Sequence, residues 1–373
     1  AAIAVWCETS GEVRLFLPRA LLFGETAAVY GFNRVSRFLS IVCSRCADLV
    51  MSTYFDDYTQ IEAVRLAESA ETTLKAIFSI LGFDLADEPE KDKPFAPVFE
   101  PLGVRVDFSS SVSGLVRLSP KPSRVEKVVA DCQGYLMKGR MAGQEAKSLG
   151  GVLRFLREGH FGRVGAVVLK ALQDHSVKGA SAGLDFRLRG GLRWLVEFLP
   201  VARPRTIAVR TVASVVHVFT DGACEPDAVT IGACIFECGR QPEAFGLHVP
   251  QEVVARWRRG GAWQVIGQAE LAPVMVASSV WAHRLRDRHV IWWIDQNAAR
   301  QALTKGYSPK WESAALIDGA SQRLAKLGCF PWFTRVPSSC NPADFPSRLE
   351  WQKLEYYFPG TKRVSVAGAA WDY

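Results

Sequence analysis

At 373 residues and 41.1 kDa the chain is too long for one ordinary domain and suits two or three. Apolar residues make up 49%, which excludes wholesale disorder, and no apolar run is long enough to cross a bilayer. A net charge of +7 is a mild basic excess, compatible with a polyanionic partner without demanding one.

Nine scattered cysteines, with no signal peptide ahead of them, argue against a disulfide framework. They point to a reducing intracellular setting, cytoplasm or nucleus. Cys43 and Cys46 make one CxxC pair, read as two small buried residues on a helix because no second pair stands at zinc spacing. The chain opens on Ala1 rather than Met, in mid-pattern, and is expected to be a fragment of a longer polyprotein.

Along the chain, 47–55 reads as an extended segment ending in two carboxylates, with 58–61 as its hairpin partner. Leu66, Ala70, Leu74, Ile77 and Leu81 recur at helical spacing, and Gly82 supplies a stop. The alternation Leu102, Val104, Val106, Phe108 predicts a strand. Between 119 and 199 the pattern becomes helical and rich in Lys and Arg, and Pro200, Pro204 and their basic neighbours suggest a linker. Beyond it, strands are expected at 215–220, 230–237 and 244–249, then a helix at 264–282 and a strand at 289–294. Helices at 296–303 and 311–327 and a strand at 330–336 complete the pattern. Strands that meander first and then alternate with helices make a mixed sheet flanked by helices.

Tyr54, Phe55, Asp56 and Asp57 place two adjacent acids at a hairpin tip, an arrangement that repels itself unless a cation sits beside it. Magnesium suits such oxygens; a solvated acidic turn is the plainer alternative. Upstream stand Phe23-Gly24, Tyr30 and Phe32-Asn33-Arg34; downstream stand Lys91, Lys93 and Leu102-Gly103. In this order they resemble the later motifs of a reverse transcriptase palm, nearest to retroelements of the tyrosine-recombinase, DIRS-like type. The resemblance implies metal binding by Asp56 and Asp57. It also implies a nucleotide or primer site at Phe23, Gly24, Tyr54, Leu102 and Gly103. A further upstream aspartate that such polymerases require has no match before Leu22, so this chain alone is not expected to polymerise.

Asp221 ends an apolar strand, Glu270 lies on the next helix, Asp295 ends a second buried strand, and Asp344 follows Asn341 and Pro342. Asn341 can cap a short helix, and Pro342 suits its first position. Singly these are ordinary surface acids and caps. Their order resembles the RNase H family, with Thr220-Asp221-Gly222-Ala223 and Asn341-x-Ala343-Asp344-x-x-Ser347-Arg348 close to its retroelement branch. The resemblance implies two Mg2+ or Mn2+ ions held by Asp221, Glu270, Asp295 and Asp344, with Glu270 also orienting the scissile region. The histidine that many relatives carry before the last aspartate is replaced by Pro337-Ser338-Ser339-Cys340. Arg256, Trp257, Arg258 and Arg259 form a basic-aromatic cluster, either tracking a phosphate backbone or making a solvated turn. In the helical middle, Arg154, Arg157, Arg163 and Lys170 either follow one strand of a duplex or form the charged face of an amphipathic bundle.

The expected fold class is multidomain α+β and α/β. It comprises a partial palm (1–110), a helical thumb or connection (111–205), an RNase H-like mixed sheet (206–350) and a tail (351–373). The expected activity is ribonuclease H-type cleavage of the RNA strand of RNA–DNA hybrids, with DNA polymerisation only if an upstream portion is supplied. Expected partners are a hybrid or template–primer duplex and the rest of the polyprotein, with no membrane. A nucleic-acid-binding remnant without chemistry is the alternative.

Overall fold

Hydrophobic periodicity in this chain resolves into sixteen strands and thirteen α-helices among the described residues. The computed structural model describes residues 3–17, 19–20, 24–86, 88, 91–160, 164–178, 181–209, 214–226, 228–259, 264–366 and 371, and for 158–160 the backbone alone. The chain divides into two compact units, 1–96 and 97–373. The fold class is mixed α+β. Among the described residues no helix is long and apolar enough to cross a membrane.

In the first unit, β1 (Ile3–Cys7) and β2 (Glu12–Phe16) form an antiparallel hairpin. Helix α1 (Thr26–Cys46) buries Ala28, Ser36, Leu39 and Cys43 on one stripe. It takes up the CxxC pair, but only Cys43 is buried; Cys46 is exposed at the helix end. Strand β3 (Met51–Tyr54) is shorter than the extended segment expected from 47, because α1 runs to Cys46 and Asp48 takes a positive φ of 52°. β3 pairs with β4 (Asp57–Gln60) through Tyr54↔Asp57, so Phe55 and Asp56 alone make the turn. Helix α2 (Ala67–Ile80) buries Ala70, Leu74 and Phe78 against Leu39, Cys43 and Leu49. Gly82, at φ 75°, ends it.

The second unit opens with β5 (Val98–Phe99), β6 (Val104–Asp107) and β7 (Leu115–Pro120). Leu102 does not join β6: residues 101–103 form a 3-10 turn in which Leu102 and Gly103 both have positive φ. Helices α3 (Pro122–Lys138), α4 (Gly143–His160), α5 (Ala166–Ser176) and α6 (Phe186–Phe198) share one core that includes Cys132, Leu153, Leu172, Leu188 and Leu192. A short ribbon of β8 (Arg140–Met141) and β9 (Ala182–Gly183) ties the bundle together. The segment read as a linker contains β10 (Arg205–Ala208), which pairs antiparallel with β7 and completes a sheet of order β10-β7-β6-β5. Its partner lies about ninety residues upstream, a pairing that no local pattern reveals.

Six strands build the largest sheet, in the order β15-β14-β11-β12-β13-β16. Strands β11 (Val216–Cys224), β12 (Val229–Phe236) and β13 (Glu243–His248) form an antiparallel meander. After α7 (Gln251–Arg258), α8 (Ile266–Val280) and α9 (Ala282–Leu285), strand β14 (His289–Ile294) enters parallel to β11. Helices α10 (Asn297–Lys305) and α11 (Trp311–Lys326) lead to β15 (Phe330–Arg335), parallel to β14. Then come α12 (Asp344–Ser347), α13 (Trp351–Tyr357) and β16 (Lys362–Arg363).

The stretch after Trp351 is therefore part of this body: β16 pairs with β13, and Leu354 and Trp371 are buried. Trp257, Trp281 and Trp292 are almost fully enclosed in the main core. At roughly 25 cal/mol per Å2 of apolar area, such indoles are among its strongest stabilisers.

Candidate metal centre

Parallel pairing of β11 with β14 ends at Thr220↔Ile294. The next residue on each strand is an aspartate, so Asp221 and Asp295 stand side by side where the parallel ladder stops. β11 itself does not end at Asp221, as its sequence suggested; it continues to Cys224 against β12.

Glycine brings the third acid in. Helix α8 lies against the strand face that carries Gly222, and a Cβ there would come within 2.3 Å of the Ala269 carbonyl oxygen. Only glycine permits that approach, which sets Glu270, the next residue of α8, beside Asp221. Ligand oxygens of Asp221, Glu270 and Asp295 all lie within 4.8 Å of one another, the one such group among the described residues.

Helix α12 closes the opposite face. Gly232 pairs with Asp221 on β12, and a Cβ on it would meet the Ser347 backbone nitrogen at 2.2 Å. Ser347 Oγ thereby donates a short hydrogen bond to Asp221 Oδ2. Asn341 Nδ2 donates to the Thr220 carbonyl at 3.1 Å and fastens the preceding loop to the end of the parallel ladder. Its Oδ1 accepts from Ala343 N, a local turn rather than a cap of α12, which begins at Asp344.

The electrostatics are those of crowded, dehydrated acids. Asp221 and Glu270 are 5% and 6% exposed. Burial, aided by Asp221 and Asp295, pushes the Glu270 carboxyl up to about 9. Burial also raises Asp221, to about 6, with Asp295 and Asp344 adding to the rise and Ser347 opposing it. Glu270 Oε2 and Asp295 Oδ1 are buried without a hydrogen-bond partner. No salt bridge among the described residues reaches any of the three. Three clustered carboxylates, two of them with an orphaned buried oxygen, fit a hard divalent cation of the magnesium or manganese class.

The remaining sequence candidates fall elsewhere. Asp344 is outside the trio, with its Oδ1 2.9 Å from Arg348 Nε one turn along. Asp56 and Asp57 sit on the β3–β4 turn of the first unit, where both are exposed. Phe55 holds a φ of 53° there, and its carbonyl accepts a hydrogen bond from Ser36 on α1. No third acid joins this pair among the described residues. Tyr54 is exposed on β3, Gly24 precedes α1 with φ 87°, and Phe23 lies outside the described residues. Gly103 lies under the Arg124 guanidinium, which also covers the Phe155 ring.

The Arg256–Arg259 cluster is no loop: Trp257 faces the core from α7 with Val253 and Val254, while Arg258 and Arg259 are exposed. Among the bundle cations, Arg154 is exposed, Lys170 pairs with Asp174 at 2.5 Å, and Arg163 lies outside the described residues. Ser347 stood in the Asn341-to-Arg348 pattern of the sequence but was given no role there. The three-residue spacing of Asp344 and Ser347 on one helical turn was the available signal.

No protein-family model matches the chain, and no curated protein is significantly similar to it. Solved structures give partial likenesses. RNase H1 from the halophilic archaeon Halobacterium salinarum NRC-1 is 16% identical, covering 37% of this chain and 98% of its own, with a TM-score of 0.28. The foamy viral protease-reverse transcriptase in complex with dsDNA is 16% identical over 87% of this chain, with a TM-score of 0.40. This chain spans 61% of that protein's length. LC11-RNase H1 in complex with RNA/DNA hybrid is 15% identical, covering 36% of this chain and 94% of its own, with a TM-score of 0.26.

Proposed function

We propose that this chain is the reverse transcriptase–RNase H region of a retroelement of the tyrosine-recombinase, DIRS-like type, and that its C-terminal body is a divalent-metal-dependent endonuclease for the RNA strand of RNA–DNA hybrids. One observation carries the reading: three carboxylates from β11, α8 and β14 meet within 4.8 Å, and two of their buried oxygens lack any partner.

Asp221, Glu270 and Asp295 would hold Mg2+ or Mn2+, two ions in all, with Asp344 available on the adjoining helix. Such ions acidify water and neutralise charge on the departing oxygen. The chain's own groups prepare the place. Ser347 fixes the Asp221 carboxylate, and the Gly222 contact sets the depth at which Glu270 enters. Arg348 balances Asp344. Recognition of the hybrid rests on backbone shape and the ribose 2′-hydroxyl, so cleavage has little sequence preference. Polymerisation at Asp56 and Asp57 is assigned only to a chain supplemented with an upstream, aspartate-bearing segment.

The test uses purified protein, a labelled RNA–DNA hybrid and Mg2+ or Mn2+. Cleavage of the RNA strand alone, lost in Asp221→Asn and in chelator, is the expected outcome. A second reading, a binding remnant without chemistry, is favoured by the Arg348 contact on Asp344 and the histidine-free 337–340 turn. Folded protein that binds the hybrid yet cuts it with neither metal would establish that reading and overturn the first.

A further inference from the structure

A cavity of about 530 Å3 opens in the second unit where α5, α7 and α11 meet, and none of the clustered carboxylates lines it. Its floor is one face of α11. Trp311, Ala315, Asp318, Gln322 and Lys326 recur at three- and four-residue steps. At 1.5 Å per residue that stripe is about 22 Å long, so the cavity is a trough.

Three kinds of chemistry line it. Trp311, 40% exposed, stands at one end, in a T-shaped contact with Phe186 at 5.8 Å and with the Arg187 guanidinium over its ring at 5.0 Å. Arg256 enters from α7 and Arg259 from its C-terminal cap, and Lys326 stands at the far end. Arg323 also borders the trough while donating to Ser279 Oγ on α8 at 2.7 Å. Glu312 and Asp318 are the acids of the lining, so four cations face two carboxylates. Midway, Gln322 Nε2 donates to Asp318 Oδ2 at 2.8 Å, a pair offering both donors and acceptors to a flat polar edge.

We propose that this trough binds single-stranded nucleic acid, as a site separate from the carboxylate centre. Cations that follow a phosphate chain, with an aromatic ring for a base to stack on, are how unpaired strands are held. A volume within the range of small-molecule clefts admits one strand and not a duplex. The choice of occupant rests on the nuclease reading: the strand is the unpaired end of a hybrid whose paired part is engaged at the carboxylates.

The experiment measures fluorescence anisotropy in chelating buffer, with blunt RNA–DNA hybrid and with the same hybrid bearing a single-stranded overhang. Wild type is expected to bind the overhung hybrid about tenfold more tightly than the blunt one. The double variant Arg259→Glu/Lys326→Glu is expected to erase that gain while binding blunt hybrid as wild type does, because two phosphate contacts are lost. Its unchanged melting temperature checks the fold. The proposal is overturned if the overhang confers no gain, or if the variant weakens both hybrids equally. Cleavage with Mg2+ is scored separately. A protein that cuts hybrids without an overhang gain keeps the nuclease and loses the trough; an overhang gain without cleavage does the reverse.

Discussion

Burial pushes the Glu270 carboxyl up to about 9 and that of Asp221 to about 6, so the cation-free protein holds protons there that its unfolded chain would release. The sign follows directly. Each raised carboxyl contributes stability that is complete below its ordinary value, near 4, and is lost as pH rises through 6 and then 9. Without divalent cation the melting temperature should fall from pH 5 to pH 9, by about 5 °C or more. Added Mg2+ should raise it, and by more at pH 8.5 than at pH 5.5. Thermal scans with and without chelator check this; a cation increment independent of pH would sink the assignment. Glu270→Gln should reduce cleavage by about a hundredfold or more, since a positioned charge is removed. The same variant should melt higher than wild type in chelator at pH 8.5, because glutamine needs no proton that the unfolded chain would release.

Among the elements, the contact of α8 with β11 is the most exacting. Gly222→Ala would push a methyl group against the Ala269 carbonyl and carry Glu270 away with the helix. About 1–3 kcal/mol of stability should be lost, as in overpacked cores, and urea titration measures it. Cleavage should fall further than the folded fraction does. At the other end of the sheet, Glu237 is buried among Arg284, Arg288 and Arg240. Burial would raise its carboxyl, but the Arg288 hydrogen bond and the surrounding guanidinium charges outweigh that and hold it below the usual range. Glu237→Gln should cost about 3 kcal/mol by leaving the buried Arg284 guanidinium undercompensated.

Much of this was legible beforehand. α8 and α11 fall within two residues of the expected helices, because long apolar periodicity reports on the face each helix buries. What escaped was non-local. β10 and β16 are short strands whose pairing partners are distant in sequence. The order of the four acids was visible, but the exclusion of Asp344 from the trio depends on where α12 rests. Gly232 and Gly246 decide that, since a Cβ on either would strike the Pro346–Ser347 backbone. Trp257 could have been placed: with Val253 and Val254 it completes a helical stripe that the flanking arginines obscured.

At the scale of the molecule, the second unit gathers a four-stranded sheet, a helical bundle and a six-stranded sheet into one body, and residues past 350 help close it. A chain ending at residue 349 would lose buried Leu354, buried Trp371 and the β16 pairing. It should be less stable by about 3–5 kcal/mol, visible as a lower urea midpoint. An unchanged midpoint would show that these residues only decorate the fold. The indoles have a consequence of their own. Trp6 is the only tryptophan before residue 97, and it is already 61% exposed, whereas Trp257, Trp281 and Trp292 lie enclosed in the second unit. A red shift of intrinsic emission therefore reports the opening of the second unit alone, while far-ultraviolet dichroism records the helices of both. Comparing the two signals in one denaturant series would show whether the units melt together or in turn.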